Sequence, residues 1–210
     1  MIDFRLYCVT DRKQTAGRPL VDVVRAALDG GVRAVQLREK DIEGGELYHL
    51  AARLREITAR YQARLLINER LDVALAVDAD GVHLGQNSLP VTTARRLLGP
   101  NKLIGVSTHS LAEIAAAMGA DFLVFGPVYF TPSKAAYGEP QGLDRLRKAV
   151  AHSSVPIFAI GGINGERIPQ VLATGAHGVA MISALSAASD PMHAARELLQ
   201  RLPDHTVQRN

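Results

Sequence analysis

Residues 131–134 read Thr-Pro-Ser-Lys, two hydroxyls and an ammonium within four positions. They follow an apolar run, FLVFGPVYF, and precede a loop rich in Ala, Gly and Pro. Hydroxyl donors and a fixed positive charge at the end of a buried strand suit an anion with several oxygens. Similar chemistry recurs upstream in Gln36-Leu37-Arg38-Glu39-Lys40. Strand alternation sends Gln36, Arg38 and Lys40 one way and Leu37 and Glu39 the other. An amide, a guanidinium and an ammonium in register make a phosphate clamp. Asn68-Glu69-Arg70 adds an amide and a carboxylate. These could hold a metal or a substrate, or Asn68 could cap the next helix. Gly85-Gln86-Asn87-Ser88 is polar but not acidic. In Ser107-Thr108-His109-Ser110, Ser107 can donate to an anion and His109 can shuttle a proton. The plainer alternative has Ser110 capping the following helix with His109 packed beneath it. Gly161-Gly162 lets backbone N–H groups approach a ligand closely, and Ser183 follows Ile182 after a further apolar run.

These groups fall into two anion sites. One comprises Gly161, Gly162 and Ser183; the other comprises Arg38, Lys40, Asn68 and Lys134. Two such sites facing one cavity suit two phosphorylated substrates, or one substrate with phosphates at both ends.

The elements that must position these groups alternate along the chain. β-rich runs at 4–10, 34–38, 63–68, 81–85, 103–107, 122–128, 156–161 and 178–183 are separated by segments of helical period, among them 19–29, 46–59, 110–118, 164–174 and 191–201. Ser110, and Asp190 followed by Pro191, are expected N-caps. Most of the runs are continuously apolar, as strands covered on both faces are. Each crossover is long enough for a helix, so the sheet is expected to be parallel and right-handed. Eight such units in 210 residues predict an α/β fold, a single-domain (β/α)8 TIM barrel over 1–202, with 203–210 a frayed tail. The candidate groups then stand together at the C-terminal ends of the strands. An open doubly wound sheet is disfavoured, because no G-x-G-x-x-G loop follows the first strand.

Composition agrees. The chain is 47% hydrophobic and 21% charged, as globular proteins are. Its single cysteine, Cys8, forbids an intrachain disulfide and, with apolar neighbours, reads as core. The net charge is +3 and no basic run exceeds Arg95-Arg96; a nucleic-acid footprint would be clustered. The expected partners are small anionic molecules, with neither nucleic acid nor membrane. No apolar stretch reaches the about 20 residues of a membrane helix, and no signal segment is visible, so a cytoplasmic location is expected. The sequence leaves the oligomeric state open.

The stretches QLREK, LLINER, ADGVHLGQ, GVSTHS, FGPVYFTPSK, AIGGI and MISA stand in order, each at a strand end. Together they closely resemble the thiamine phosphate synthase family. The resemblance runs from LYCVTD at 6–11 to AAREL at 194–198. It implies condensation of an aminopyrimidine diphosphate with a thiazole phosphate, giving thiamine phosphate and pyrophosphate. The family's pattern has a diphosphate that departs with Mg2+ and a pyrimidine carbocation trapped by the thiazole nitrogen. On that pattern Gln36, Arg38, Lys40, Asn68, Ser107 and Lys134 bind the pyrimidine diphosphate. Thr131, Ser133, Gly162, Ile182 and Ser183 hold the thiazole phosphate. The family usually carries two aspartates for Mg2+; at those positions this chain has Glu69 and Ser88. A sister branch of the family isomerises the thiazole phosphate with a histidine just after the Phe-Gly of strand 6. Here that position is Pro127, and His109 is the nearest substitute.

Overall fold

The structure, a computed structural model, describes residues 2–131 and 139–202. Its eight strands are β1 Leu6–Val9, β2 Ala34–Leu37, β3 Arg64–Asn68, β4 Gly81–Leu84, β5 Leu103–Thr108, β6 Phe122–Phe125, β7 Ile157–Ile160 and β8 Gly178–Met181. Every neighbouring pair is parallel, and β1 pairs with β8, so the sheet closes into a barrel in sequence order. The helices are α1 Leu20–Asp29, α2 Gly44–Arg60, α3 Leu71–Ala76, α4 Val91–Leu98, α5 Leu111–Ala116, α6 Gly142–His152, α7 Ile168–Leu172, α8 Ser183–Ser186 and α9 Pro191–Gln200. The (β/α)8 TIM barrel read from the apolar runs is the fold. The two expected caps form: Ser110 accepts from the Glu113 N–H at 3.2 Å and Asp190 from the His193 N–H at 3.0 Å.

Three local readings differ. The sixth run was expected to extend to 128, but β6 stops at Phe125. Pro127 has no N–H for the ladder, and hydrogen bonding to β7 resumes at Val128, whose N–H bonds the Ile160 carbonyl at 2.8 Å. The segment 164–174 splits into a 3₁₀ turn at Gly165–Arg167 and the short α7. Asn68 does not cap α3; Arg70 stands at that N-cap without a side-chain bond, and the Asn68 amide donates to Glu69 instead. The expected tail, 203–210, lies outside the described residues.

Two apolar layers hold the barrel. Outward-facing strand residues such as Val35, Leu37, Leu65, Ile67 and Val82 pack beneath the helices with Leu28, Leu54 and Leu146. Cys8 belongs to this layer, and burial pushes its thiol up to about 12, as expected for an inert core cysteine. Inward-facing residues fill the lower barrel, chiefly Phe4, Tyr7, Phe122 and Phe158. Phe4 stacks on Phe158 with centroids 5.1 Å apart, and Phe122 meets Phe4 and Tyr7 edge-on at 5.6 and 5.4 Å. Each fully buried ring contributes roughly 1.5–3 kcal/mol. The aromatic plug fills the lower barrel, so among the described residues the barrel interior opens at the C-terminal rim.

Candidate active site

Two hollows open on that rim. The first has a cavity volume of about 270 Å3 and is lined by Gln36, Arg38, Lys40, Asn68, Glu69 and Ser107, with Gly85, Gln86 and Asn87 at its edge. The second, of about 230 Å3, is lined by Thr131, Gly161, Gly162, Ile182, Ser183 and Ala184. His109, Ile160 and Ile182 line both, so the hollows are compartments separated by a shared wall. Ser88 lines neither hollow, and the other described residues predicted for the site are brought together in the two groups proposed for them, with one difference. Ile182 contributes to the wall as well as to the second compartment. Ser133 and Lys134 lie outside the described residues.

In the first compartment, alternation along β2 and its extension aims Gln36 and Arg38 inward and Leu37 outward. Gln36 is buried and donates from Nε2 to the Tyr7 hydroxyl at 3.2 Å. The strand end beyond is pinned by its outward carboxylate. Thr10 donates from Oγ1 to Glu39 Oε1 at 2.7 Å and accepts from the Arg38 N–H at 2.9 Å. The Arg12 N–H and guanidinium also donate to Glu39. Arg38 and Lys40 have no ion-pair partner among the described residues. Two uncompensated cations beside a cavity make an anion site, because neither charge is already neutralised.

Glu69 adopts a left-handed backbone, φ 61°. Its Oε1 accepts from Ser88 Oγ at 3.1 Å and its Oε2 from Asn68 Nδ2 at 3.2 Å, while Ser88 Oγ accepts from the Gly85 N–H at 2.8 Å. Carboxylate, amide and hydroxyl oxygens therefore gather at one edge of the compartment. This is a hard, all-oxygen donor set of the kind Mg2+ takes, usually with few carboxylates and with substrate phosphates completing its shell. Among the described residues no group of three or more His, Cys, Asp or Glu side chains gathers to hold a metal alone. The donor set fits an ion shared with a bound diphosphate.

The second compartment is built largely from backbone. Gly161 and Gly162 have φ of 101° and 62°. A Cβ on Gly162 would lie 2.6 Å from the Phe130 carbonyl oxygen, so no larger residue fits without moving the turn. Arg167 steadies this turn by donating to the Gly162 carbonyl, with its guanidinium 4.4 Å above the Tyr129 ring. The short α8 begins at Ser183 on the opposite side. Glycines after β7 and a short helix after β8 are the usual phosphate cradle of this fold.

Two positions at the rim escaped the sequence reading. His83, on β4, lines the first compartment and contacts Ser107; a histidine inside an otherwise apolar strand was the available signal. Glu113, on α5, accepts from the His109 N–H at 2.7 Å and from Gln86 Nε2 at 2.8 Å. It ties two rim loops together; Ser110-x-x-Glu113 has the spacing of a capping box, which was the available signal for the local contact, whereas Gln86 lies 27 residues away. His109 is neither packed away nor free: its Nδ1 contacts the Gly126 carbonyl while the ring lines the shared wall.

The family described as thiamine monophosphate synthase matches residues 6–185. The chain belongs to that family. A relative from Geobacter sulfurreducens is 56% identical over 98% of this chain and 97% of its own. A thiamine-phosphate synthase from Chloroflexus aurantiacus is 48% identical over 94% of this chain and 92% of its own. A solved thiamine phosphate pyrophosphorylase from Pyrococcus furiosus superimposes with a TM-score of 0.85 at 42% identity, over 95% of each chain. The family's transferase role in thiamine biosynthesis agrees with a rim that gathers cationic and hydroxyl side chains suited to phosphate. No helix of the described residues is long and apolar enough to cross a membrane.

Proposed function

We propose that this chain is a thiamine-phosphate synthase. It joins 4-amino-2-methyl-5-hydroxymethylpyrimidine diphosphate to thiazole phosphate and releases pyrophosphate. The observation that carries the reading is the pair of phosphate-suited compartments that share His109, Ile160 and Ile182 as a wall, which would bring the ends of two phosphorylated substrates face to face.

In this reading Arg38, Lys40 and Lys134 hold the diphosphate, with Asn68 and Ser107 donating to the same substrate and Gln36 contacting its ring. Thr131, Ser133, Gly161, Gly162, Ile182 and Ser183 seat the thiazole phosphate. The C–O bond between the pyrimidine methylene and the diphosphate breaks, and its electron pair leaves on oxygen. The thiazole nitrogen then supplies the pair for the new C–N bond. Charge therefore accumulates on the departing diphosphate, and fixed cations there bind the transition state more strongly than the ground state. Glu69 and Ser88, with Asn68 beside them, would hold Mg2+. The ion's chemistry is neutralisation of the leaving diphosphate. The bond-making step needs no base. The apolar wall shields the electrophilic carbon from water until the nitrogen reaches it.

The test is to mix the purified protein with both substrates, with and without Mg2+, and to measure pyrophosphate and thiamine phosphate. Stoichiometric, Mg2+-dependent formation of both is expected. Arg38→Ala and Lys134→Ala should each lower turnover by about 10²-fold or more with the fold intact. Wild-type rates in both variants would refute the assigned roles.

A further inference from the structure

His83 stands at the floor of the first compartment, and none of the assignments above uses it. It is paired with Gly105 of β5, and the ring lies close because that residue is glycine. A Cβ at position 105 would sit 2.7 Å from His83 Nδ1 and 2.4 Å from Phe122 Cζ. The residue is 2% exposed. Its two nitrogens meet different surroundings. Nε2 is 2.9 Å from Ser107 Oγ, whereas Nδ1 is buried against Gly105 and Phe122 with no hydrogen-bond partner among the described residues.

With the ring buried and Nδ1 lacking any acceptor among the described residues, a second ring proton would have no partner, so the imidazole is neutral. A neutral imidazole carries its proton on one nitrogen only. On Nδ1 that proton would form a buried N–H facing carbon, the rarer and costlier kind of unpaired group. On Nε2 it finds an acceptor at Ser107, and only a lone pair is left against C–H groups. Ser107 Oγ then accepts from the ring, and its own hydrogen is free to turn into the cavity.

We propose that His83 is a positioning residue: by donating from Nε2 to Ser107 Oγ, it fixes the Ser107 hydroxyl as a hydrogen-bond donor toward the substrate in the diphosphate compartment. The reverse polarity, with Ser107 donating to an imidazole base, would make a nucleophilic pair. Such a base is ordinarily oriented by a third group at its other nitrogen, and here that nitrogen has no hydrogen-bond partner among the described residues. The identity of the molecule that the hydroxyl meets rests on the synthase reading; the tautomer of His83 does not.

Two measurements test the assignment. The first is 15N NMR of the histidine-labelled wild-type protein. The His83 proton should be on Nε2, and a proton on Nδ1 overturns the proposal whether or not the protein makes thiamine phosphate. The second is a kinetic cycle. His83→Leu should lower kcat by about tenfold to a hundredfold, with the KM for thiazole phosphate unchanged. His83→Gln, whose amide Nε2 reaches toward the same oxygen, should recover part of that loss. In the double variant with Ser107→Ala, the loss should be no larger than in Ser107→Ala alone, because both changes remove one function. Losses that multiply would show that His83 does not act through Ser107. Should His83→Leu fail to fold, His83→Gln closes the same cycle.

Discussion

Ser88→Asp is the substitution that bears most directly on the metal. Ser88 Oγ lies 3.1 Å from Glu69 Oε1, so an aspartate there would place a second carboxylate about 4 Å from the first. Two like charges at that separation repel by about 4 kcal/mol at an effective dielectric near 20. Both positions are part-exposed, and water and salt reduce the repulsion to roughly 1–2 kcal/mol. A divalent cation between the carboxylates turns that repulsion into attraction. A factor of ten in affinity corresponds to about 1.4 kcal/mol, so the half-saturating Mg2+ concentration should fall by about tenfold. The aspartate can still accept from the Gly85 N–H, as Ser88 does, so the loop should survive the change. The assay is pyrophosphate release titrated with Mg2+, paired with thermal melts in chelator and in Mg2+. The variant should melt lower than wild type in chelator and recover more on adding the ion. An unchanged half-saturation together with an unchanged metal-dependent shift in Tm would show that Ser88 does not face the ion, and the assignment of Glu69 and Ser88 would fall.

Gly162→Ala should leave the barrel folded but weaken the thiazole phosphate site. The new Cβ meets the Phe130 carbonyl at 2.6 Å in a left-handed backbone, so the turn must shift. A misplacement of about 1 Å costs on the order of 10²-fold, and steady-state kinetics should show the loss against thiazole phosphate; wild-type kinetics would refute the cradle. Acid should destabilise the protein through His83, whose pKa is about 3 in the fold against an ordinary 6.5. Between those values the unfolded chain binds the proton and the fold does not, so stability held above pH 6.5 is lost as the pH falls through the window. From pH 7 to pH 5 this amounts to about 2 kcal/mol, read from urea midpoints. An equal acid loss in His83→Gln would refute it.

The barrel was legible because its strands are buried on both faces and read as plain apolar runs between helical segments. The strand-end groups were legible because the fold itself gathers whatever is polar at those ends. Element boundaries followed less faithfully: Pro127 cuts the sixth strand short through a missing N–H, a local fact that hydrophobic periodicity does not weigh. Glu113 and Thr10 were hidden for another reason. Each acts on a residue supplied by a different βα unit, Glu113 on Gln86 and Thr10 on Glu39 and the Arg38 backbone. Nothing in the local sequence spacing of a carboxylate or hydroxyl records a partner about 27 or 29 residues away that closure of the barrel brings to it.

The stretch from Gln36 to Lys40 shows how the proposed diphosphate site keeps its cations unpaired by carboxylates among the described residues. Left beside a carboxylate, Arg38 would be held in an ion pair, and an incoming diphosphate would have to displace it. The carboxylate is in fact next door, at Glu39, but one step of alternation turns it away from the cavity. There it accepts from Thr10 and Arg12, and Thr10 in turn holds the Arg38 backbone. The position of Arg38 is therefore set through its main chain, which leaves the guanidinium unneutralised among the described residues. A clamp built this way needs no rearrangement when the anion arrives, and interactions already in place at that moment are worth most in the transition state.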